Sequence, residues 1–316
     1  MIEMLVGTNE KMYQVPVEGS IKWTTSRKGT PGQLTFTTYG ISDIEEGYSV
    51  NFRKDGQNVF FGFIFDISSD KSKKINITAY DQLRYLKNKD TYKYTKTASD
   101  LITTICNDFN MQIGIIADTG YIVKRTESNK TLFDIIQTAL DWTLVNTGQL
   151  YTLYDDFGKV TLKSIEDMGL DLLLDEETGE NYNWSSSIND SYNKIKIVKN
   201  KEAFITQHSE NINKWGVLQY YEEIQEENNN DSNNPNIENP QIKSETLLKL
   251  YNSKKRRCRL KKQLGDIRVR AGSRLYVRLD LILDKINSMM LVDKVTHTFE
   301  NGLHTMDVEL RGGNYA

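Results

Sequence analysis

The stretch from Tyr48 to Leu86 restricts the fold more than any other part of the chain, because its residues follow the pattern of consecutive β-strands. Apolar and polar residues alternate at its beginning, which is the period of a half-buried β-strand. The dipeptide Asp55-Gly56 follows and favours a tight hairpin turn, since both residue types tolerate a positive φ. A second strand, a polar turn over residues 68–73 and a third strand come next. We therefore predict a three-stranded antiparallel meander.

The second strand of this meander is rich in phenylalanine. Asp81, after the third strand, is well placed to cap the turn that begins at Gln82. The stretch contains no catalytic constellation, so the pattern favours a structural wall. Strict alternation divides the second strand into one face with Val59, Phe61, Phe63, Phe65 and Ile67 and another face with Phe60 and Ile64.

Further short strands are predicted before this meander, over residues 4–6, 12–17, 21–26 and 33–39. That many antiparallel strands indicate a small barrel or sandwich. The pattern becomes helical near Thr97, where Ser99 is predicted to cap a helix with an apolar stripe. A second helix from about residue 130 is predicted to end at Gly148, and a hairpin follows over residues 150–164.

Strand patterns return in the C-terminal part of the chain. Residues 187–199 alternate, residues 225–241 are acidic and Asn-rich as in a solvated loop, and Ser244 is predicted to cap a short helix over 244–252. Residues 273–281 form another predicted strand. The strands 290–299 and 303–310 are joined by Asn301-Gly302, a strong hairpin signal. Two β regions on either side of a mixed module give the chain a coarse symmetry.

The composition excludes several classes of protein. Hydrophobic residues make up 38% and charged residues 26% of the 316-residue chain, an ordinary soluble balance. No apolar run approaches the roughly 20 residues of a membrane helix, and no signal-peptide pattern begins the sequence, so we expect the protein to fold in the cytoplasm of its producing cell without membrane binding. The net charge of −3 argues against generic nucleic-acid binding. Cys106 and Cys258 lie far apart and are predicted to be reduced.

No motif for catalysis, cofactor binding or metal binding is recognisable in the sequence. It lacks a G-x-S-x-G elbow, an H-E-x-x-H helix and a glycine-rich phosphate loop. If the last two strands pair through a two-residue turn, His297 and His304 become diagonal neighbours on one face. That face is otherwise apolar, so we interpret them as a packed pair and not as a metal site. Asp155-Asp156 fits turn chemistry better than a glycosidase pair.

The sharpest charge feature is the basic run between residues 254 and 262. Residues 254–278 contain eleven lysines and arginines and a single acid, Asp266. Because aromatic residues barely interleave with the charges, a protein interface or a channel lining is favoured over nucleic-acid binding, and a solvated face stays open as the alternative. The candidate interface residues are Lys254, Lys255, Arg256, Arg257, Arg259, Lys261 and Lys262.

Three segments together resemble the tail hub proteins of contractile phages. They are the strand–turn–strand region that ends in TAYDQLRYLKN (78–88), the sequence LGDIRVRAGSRLYV (264–277) and the sequence MLVDKVTHTFENGLHTMDVEL (290–310). The resemblance is strongest to the hubs of PBSX-type defective prophages, clostridial phages and R-type bacteriocins. It is more distant to the hub part of the VgrG spikes of type VI secretion. It spans nearly the whole chain and rests on structural residues.

This resemblance implies a mainly β fold in which two similar small antiparallel β-barrels flank an α/β insertion. The corresponding division is a first barrel domain over 1–90, the α/β module over 91–168 and a second barrel domain over 169–316. These boundaries become discontinuous wherever the chain leaves and re-enters a barrel. A homotrimer would present six barrels, matching the sixfold tail tube above and docking the threefold central spike below. The implied role is a structural, non-enzymatic baseplate hub that needs no cofactor.

The resemblance also implies the surroundings of the protein. Baseplate wedge and tape-measure proteins are further expected partners, and no specific nucleic acid is expected. The chain would be a component of the tail baseplate of a phage or bacteriocin particle. Two alternatives stay open, namely a tail-associated cell-wall hydrolase and a spike component of a type VI secretion system.

Overall fold

The structure, a computed structural model, describes residues 1–8, 10–39, 44–224, 239–281 and 285–312. Within these ranges the chain is mainly β. None of the helices found there has the length and apolar character needed to cross a membrane. Residues 225–238, which make up most of the predicted acidic loop, lie outside the described ranges.

The N-terminal part of the chain forms antiparallel strands. They are β1 (Ile2–Gly7), β2 (Met12–Gln14), β3 (Val17–Ser26), β4 (Gln33–Thr38), β5 (Ser49–Lys54), β6 (Gln57–Ser69) and β7 (Ile75–Tyr80). The predicted hairpin turn is confirmed, since Asp55 and Gly56 have φ values of 50° and 77°. The predicted cap is also confirmed, because the Asp81 carboxylate accepts the N–H of Leu83 at the start of the 3-10 helix Gln82–Lys87.

A mixed module follows, and both of its helices contribute side chains to one separate core. Its elements are β8 (Lys89–Thr97), α1 (Ala98–Asp108), β9 (Ile113–Ile116), β10 (Ile122–Thr131), α2 (Leu132–Thr147), β11 (Tyr151–Asp155) and β12 (Val160–Ser164), with the 3-10 helix Ile165–Met168 after them. The end of α2 at Gly148 is confirmed, with a φ of 73°. The predicted cap of α1 is wrong, because the Thr97 hydroxyl accepts the N–H of Asp100 while Ser99 already lies inside the helix.

The C-terminal part contains the remaining strands and two helices. They are β13 (Gly169–Asp175), the 3-10 helix Glu176–Thr178, β14 (Asn181–Ser187), β15 (Lys194–Lys199), β16 (Glu202–Gln207), α3 (Ser209–Trp215), β17 (Gln219–Ile224), α4 (Pro240–Tyr251), β18 (Lys255–Leu264), β19 (Arg274–Asp280), β20 (Lys285–Glu300) and β21 (Leu303–Gly312). The turn at Asn301-Gly302 is confirmed by positive φ values. The predicted cap of α4 is wrong, because Asn239 caps it and Ser244 lies within the helix.

One large sheet connects the two β regions of the chain. Its N-terminal half has the strand order β3-β4-β7-β6-β5-β1-β2, and its C-terminal half has the order β13-β19-β20-β21-β18-β14. The halves are joined because residues 294–299 of β20 pair with residues 21–26 of β3. Among the described residues, β2, β13 and β14 each pair with a single neighbour, so these ladders do not close the two predicted barrels.

Each half of the sheet surrounds its own apolar core. The core of the N-terminal half includes Phe52, Leu34 and Trp23, and also Phe299, which belongs to β20. The core of the C-terminal half includes Cys258, Leu275 and side chains of the other strands of that half. Burial of these side chains drives the formation of both halves.

The strand predicted within residues 187–199 is present as β15, in the range proposed for the second barrel domain but outside the large sheet. β15 lies in a separate three-stranded sheet with β16 and β17. Its buried side chains Ile195 and Ile197 pack with Leu247 of α4 in a small core of their own. This unit is inserted between β14 and β18.

The predicted faces of β6 also need correction. Two β-bulges interrupt the alternation, one near Val59 and one near Phe65. Because a bulge places one extra residue against the partner strand, the side chains after it change faces. Val59 and Phe60 therefore both enter the core, whereas Phe61 lies on the outer face and packs against Phe157 of the module at 5.9 Å between ring centroids.

Candidate functional site

The predicted basic residues lie in β18, apart from Lys254, which precedes it. This strand was not predicted from the sequence, because charged neighbours obscure the alternation of its apolar positions. Cys258 and Leu260 point into the core and are 2% and 1% exposed. Arg257 and Arg259 alternate with them and face outward. The basic run is therefore one outward row combined with an inward apolar row.

The outward row of β18 is only weakly neutralised by the neighbouring strand. Arg259 lies 3.9 Å from a carboxylate oxygen of Asp307 and 3.9 Å from one of Glu309. Half of the Arg259 side chain is exposed, and exposed ion pairs of this kind contribute less than about 1 kcal/mol. Arg257 lies opposite Arg311, another arginine, in the ladder between β18 and β21. Positive charge thus remains available on this face for an acidic partner.

The other basic residues do not all join this row. Lys255 lies over the ring of Tyr251 at 5.3 Å, and burial lowers its pKa. Lys262 forms an ion pair with Glu180 at 2.9 Å, and its N–H donates to the Asp307 carboxylate. The structure therefore distributes the seven predicted residues over more than one surface. Their role as an interface stays a prediction.

His297 and His304 form a packed pair, as their predicted register requires. His297 pairs with Met306 and Phe299 pairs with His304 in the hairpin of β20 and β21. His297 is fully buried, and its Nδ1 lies 2.9 Å from His304 Nε2. The other nitrogen, Nε2, lies 2.9 Å from the carbonyl oxygen of Val269. Within the described ranges, no group of three or more potential ligands surrounds them.

The hydrogen bonds of this pair select one tautomer. A carbonyl oxygen can only accept, so His297 Nε2 carries the proton and Nδ1 accepts from His304 Nε2. Burial lowers the pKa of His297 to about 3, and burial together with the charge of Lys54 lowers that of His304 to about 4. Both rings are therefore neutral at physiological pH. The pair serves packing and hydrogen bonding.

A buried pair of carboxylates was not predicted. Asp81 accepts the N–H groups of Gly32 and Leu83 at 2.8 and 3.0 Å. Burial, and then the charge of Asp155, raises the pKa of Asp81 well above its usual range. Burial also raises the pKa of Asp155 to about 6. Asp155 Oδ1 accepts the N–H of Gly158 at 2.6 Å, whereas its buried Oδ2 contacts no hydrogen-bond donor within the described structure.

These carboxylates lie where the N-terminal half, the module and the C-terminal half meet. Arg270, from the segment before β19, donates to the backbone oxygen of Asp155 at 3.0 Å and lies over the ring of Tyr154. The adjoining cavity of about 20 Å³ is lined by residues of all three parts, including Trp23, Asp155 and Arg270. It holds about one water molecule and is too small for a sugar ring. The arrangement fits a joint between parts of the chain.

Local sequence signals predicted the role of each carboxylate separately but not the joint between them. The roles predicted for Asp81 as a cap and for Asp155 in a turn are both confirmed. What brings them together is the contact between the 3-10 helix that follows β7 and the turn between β11 and β12, where the Gln82 side chain donates to the oxygen of Gly158. This contact joins residues more than seventy positions apart. No local pattern encodes that contact.

Comparison with known proteins relates the chain to a prophage family. The YqbQ-like family profile matches residues 21–311. The chain is 31% identical over 287 residues to the phage-like element PBSX protein XkdQ of Bacillus subtilis, covering 87% of this chain and 83% of XkdQ. It is 29% identical over 329 residues to YqbQ of the same organism, covering 98% of this chain and 96% of YqbQ.

Solved structures share the fold at low identity. The 43 kDa tail protein of prophage MuSo2 from Shewanella oneidensis matches with a TM-score of 0.68 and 14% identity, over 98% of this chain and 96% of that one. The E. coli c3393 protein, described as a type VI secretion component similar in structure to the T4 tail proteins gp27 and gp5, matches with a TM-score of 0.55 and 10% identity. That match covers 98% of this chain and 77% of c3393.

Proposed function

This chain belongs to the YqbQ-like family, and from that premise we propose that it is a structural baseplate hub of a contractile tail. The observation that carries the proposal is the likeness over almost the whole chain to a prophage tail protein and to c3393. The chain is 31% identical to XkdQ, a protein of the phage-like element PBSX, and this similarity favours a phage or bacteriocin tail over a type VI spike.

The proposed hub is a homotrimer that adapts the sixfold tail tube to the threefold central spike. Its support in this chain is the division of the large sheet into two halves, each with its own core. Three subunits would provide six such halves. Tube protein would bind above and spike protein below, with wedge and tape-measure proteins as further partners, and the assembly would form in the bacterial cytoplasm before it becomes part of the particle.

The domain division proposed from the sequence serves this role. We propose domains over 1–90, 91–168 and 169–316, each half of the large sheet acting as one incomplete barrel of the ring. The role proposed for the chain is not enzymatic. The buried carboxylates support this, since the cavity beside them is about the size of one water molecule.

Light scattering and a zymogram test the proposed hub. The purified chain is expected to have about three times the 36.5 kDa subunit mass and to leave peptidoglycan intact. A monomer that clears peptidoglycan would instead establish the hydrolase alternative. A map of the assembled particle adds the position, since a hub must ring the axis between tube and spike.

Charge reversal tests the basic row of β18 as an assembly surface. The double change Arg257→Glu and Arg259→Glu is expected to prevent incorporation into particles, because an acidic partner would then meet like charge. The melting temperature should stay close to that of the wild type, since both side chains face outward. The matched control reverses two exposed lysines of β8, Lys89→Glu and Lys93→Glu. Normal incorporation of the Arg257/Arg259 variant would exclude this surface.

A further inference from the structure

The two halves of the large sheet repeat one strand order. In the N-terminal half the order β5-β6-β7-β4-β3 is antiparallel throughout. In the C-terminal half the order β19-β20-β21-β18-β14 is also antiparallel throughout. Each of these five strands therefore has a counterpart in the other half, with β3 equivalent to β14 and β6 equivalent to β20.

The repeat extends to individual hydrogen bonds. Gly47, with a φ of 88°, donates its N–H to the oxygen of Ile64 at 2.8 Å. Gly272, with a φ of 94°, donates to the oxygen of Val292 at the same distance. Ile64 and Val292 are each followed by a β-bulge, at Ile64/Asp66 and at Val292/Lys294. These matches align β6 with β20 residue by residue.

The alignment gives equivalent positions across the two halves. Asp66–Ser69 of β6 corresponds to Lys294–His297 of β20. Through the ladders β4–β7 and β18–β21, Trp23–Ser26 of β3 corresponds to Trp184–Ser187 of β14. A tryptophan thus opens both segments, Trp23 in one half and Trp184 in the other.

Within the part of one subunit that the structure describes, this contact occurs once. Lys294–His297 pairs with Trp23–Ser26 and so joins the C-terminal half to the N-terminal half. The equivalent segments, Asp66–Ser69 and Trp184–Ser187, each pair on one side only among the described residues. Ser68, Ser69 and Ser185–Ser187 are exposed.

β14 also lacks the features that usually protect an edge strand. It has seven residues and contains no charged residue and no proline. Protected edges normally carry lysine, proline or a bulge, since an open ladder readily pairs with another strand. The uncharged edge of β14 is therefore suited to pairing with the free segment Asp66–Ser69 of another subunit.

We propose that β14 of one subunit pairs with the end of β6 in the next, repeating between subunits the contact that β3 makes with β20 within one. This inference rests on the proposed trimeric hub and specifies its subunit interface. The contact joins two different edges, so it is head-to-tail, and rotation closes such contacts into a ring. Three subunits then give six similar steps around the axis.

The register of the proposed contact follows from the one already present. Thr24 lies opposite Thr296, and their hydroxyl oxygens are 3.0 Å apart. Their counterparts are Ser185 and Ser68. The proposal therefore places Ser185 of one subunit opposite Ser68 of its neighbour, with their hydroxyls within hydrogen-bonding distance.

Disulfide cross-linking tests this register. The double variant Ser68→Cys and Ser185→Cys is expected to form covalent dimers and trimers on oxidation, seen on a non-reducing gel, because opposite residues on paired strands approach closely enough for a disulfide. The native Cys106 and Cys258 are buried and should not contribute. Pairing Ser68→Cys with Asn183→Cys, two residues away on β14, is the matched control and should lose the cross-link.

A second control tests the contact between β3 and β20 within one subunit, from which the register of the proposed contact was taken. Thr24→Cys with Thr296→Cys should form a disulfide within one subunit and no covalent trimer. If the wild type is trimeric by light scattering but the Ser68/Ser185 variant stays uncross-linked, the strand pair is wrong and the hub proposal stands. If the wild type is monomeric at every concentration, the proposed trimer fails and the strand pair fails with it.

Discussion

Phe299→Ala is expected to lower the free energy of unfolding by about 3–5 kcal/mol. The Phe299 side chain is 1% exposed and meets the ring of Phe52 edge-on at 5.0 Å between centroids. It also stacks on His304 at 4.1 Å. Its removal leaves a cavity in the core of the N-terminal half. The surrounding strands cannot move in to fill this cavity, because β20 is paired with β3 on one side and with β21 on the other. Urea unfolding followed by circular dichroism measures the change.

The matched control is Leu303→Ala on the same hairpin. Leu303 is 72% exposed, so its truncation should change the free energy of unfolding by less than about 0.5 kcal/mol. Because Phe299 belongs to β20 but packs in the core of the N-terminal half, the loss should be seen by probes in both halves. A cost below about 1 kcal/mol for Phe299→Ala would contradict the described packing.

Asp155→Asn is expected to stabilise the protein above pH 7 by about 1–3 kcal/mol, at about 1.4 kcal/mol for each unit by which the pKa is raised. Burial raises the pKa of Asp155 from 3.8 to about 6, so deprotonation leaves a buried charge whose Oδ2 meets no described donor. An asparagine keeps the oxygen that accepts from Gly158 and removes that charge. Thermal or urea unfolding across pH 4–8 measures the difference.

The sign of the pH dependence follows from the direction of the shift. A carboxyl group with a raised folded-state pKa stabilises the fold below its unfolded pKa, and this contribution is lost as the pH rises through about 6. The lowered pKa values of His297 and His304 act oppositely, costing stability as the pH falls below about 6.5, but they cancel in the comparison of variant with wild type.

Asp156→Asn is the matched control for this experiment. Its side chain is 58% exposed, so its difference from the wild type should change little with pH. A parallel pH profile for Asp155→Asn and the wild type would show that Asp155 is not a buried acid at the joint.

Turns and the strands beside them could be predicted because their signals are local. Asp55-Gly56, Gly148 and Asn301-Gly302 each have the positive φ that their residue types suggested. The resemblance to PBSX-type prophage proteins is confirmed as a family relationship. Structural motifs around these turns carried that resemblance.

The remaining features depend on contacts that local patterns do not encode. The first bulge of β6 places Val59 on the buried side with Phe60 and not with Phe61, because an extra residue cannot be read from alternation alone. β18 was missed because only Cys258 and Leu260 mark its inner face among many charges. The joint of Asp81 and Asp155 was missed because it forms only when separate parts of the chain pack together.

The pairing of β3 with β20 has a consequence for biosynthesis. Arg27, just after β3, and Asp293 of β20 are 266 residues apart in sequence and form an ion pair at 3.0 Å. Until the ribosome has made β20, the edge of β3 is unpaired and the core of the N-terminal half lacks the Phe299 side chain. Contacts of such long sequence separation form slowly, and open edges are prone to aggregation while they wait. Yield in the producing cell should therefore depend on temperature and chaperones more than the stability of the finished fold suggests.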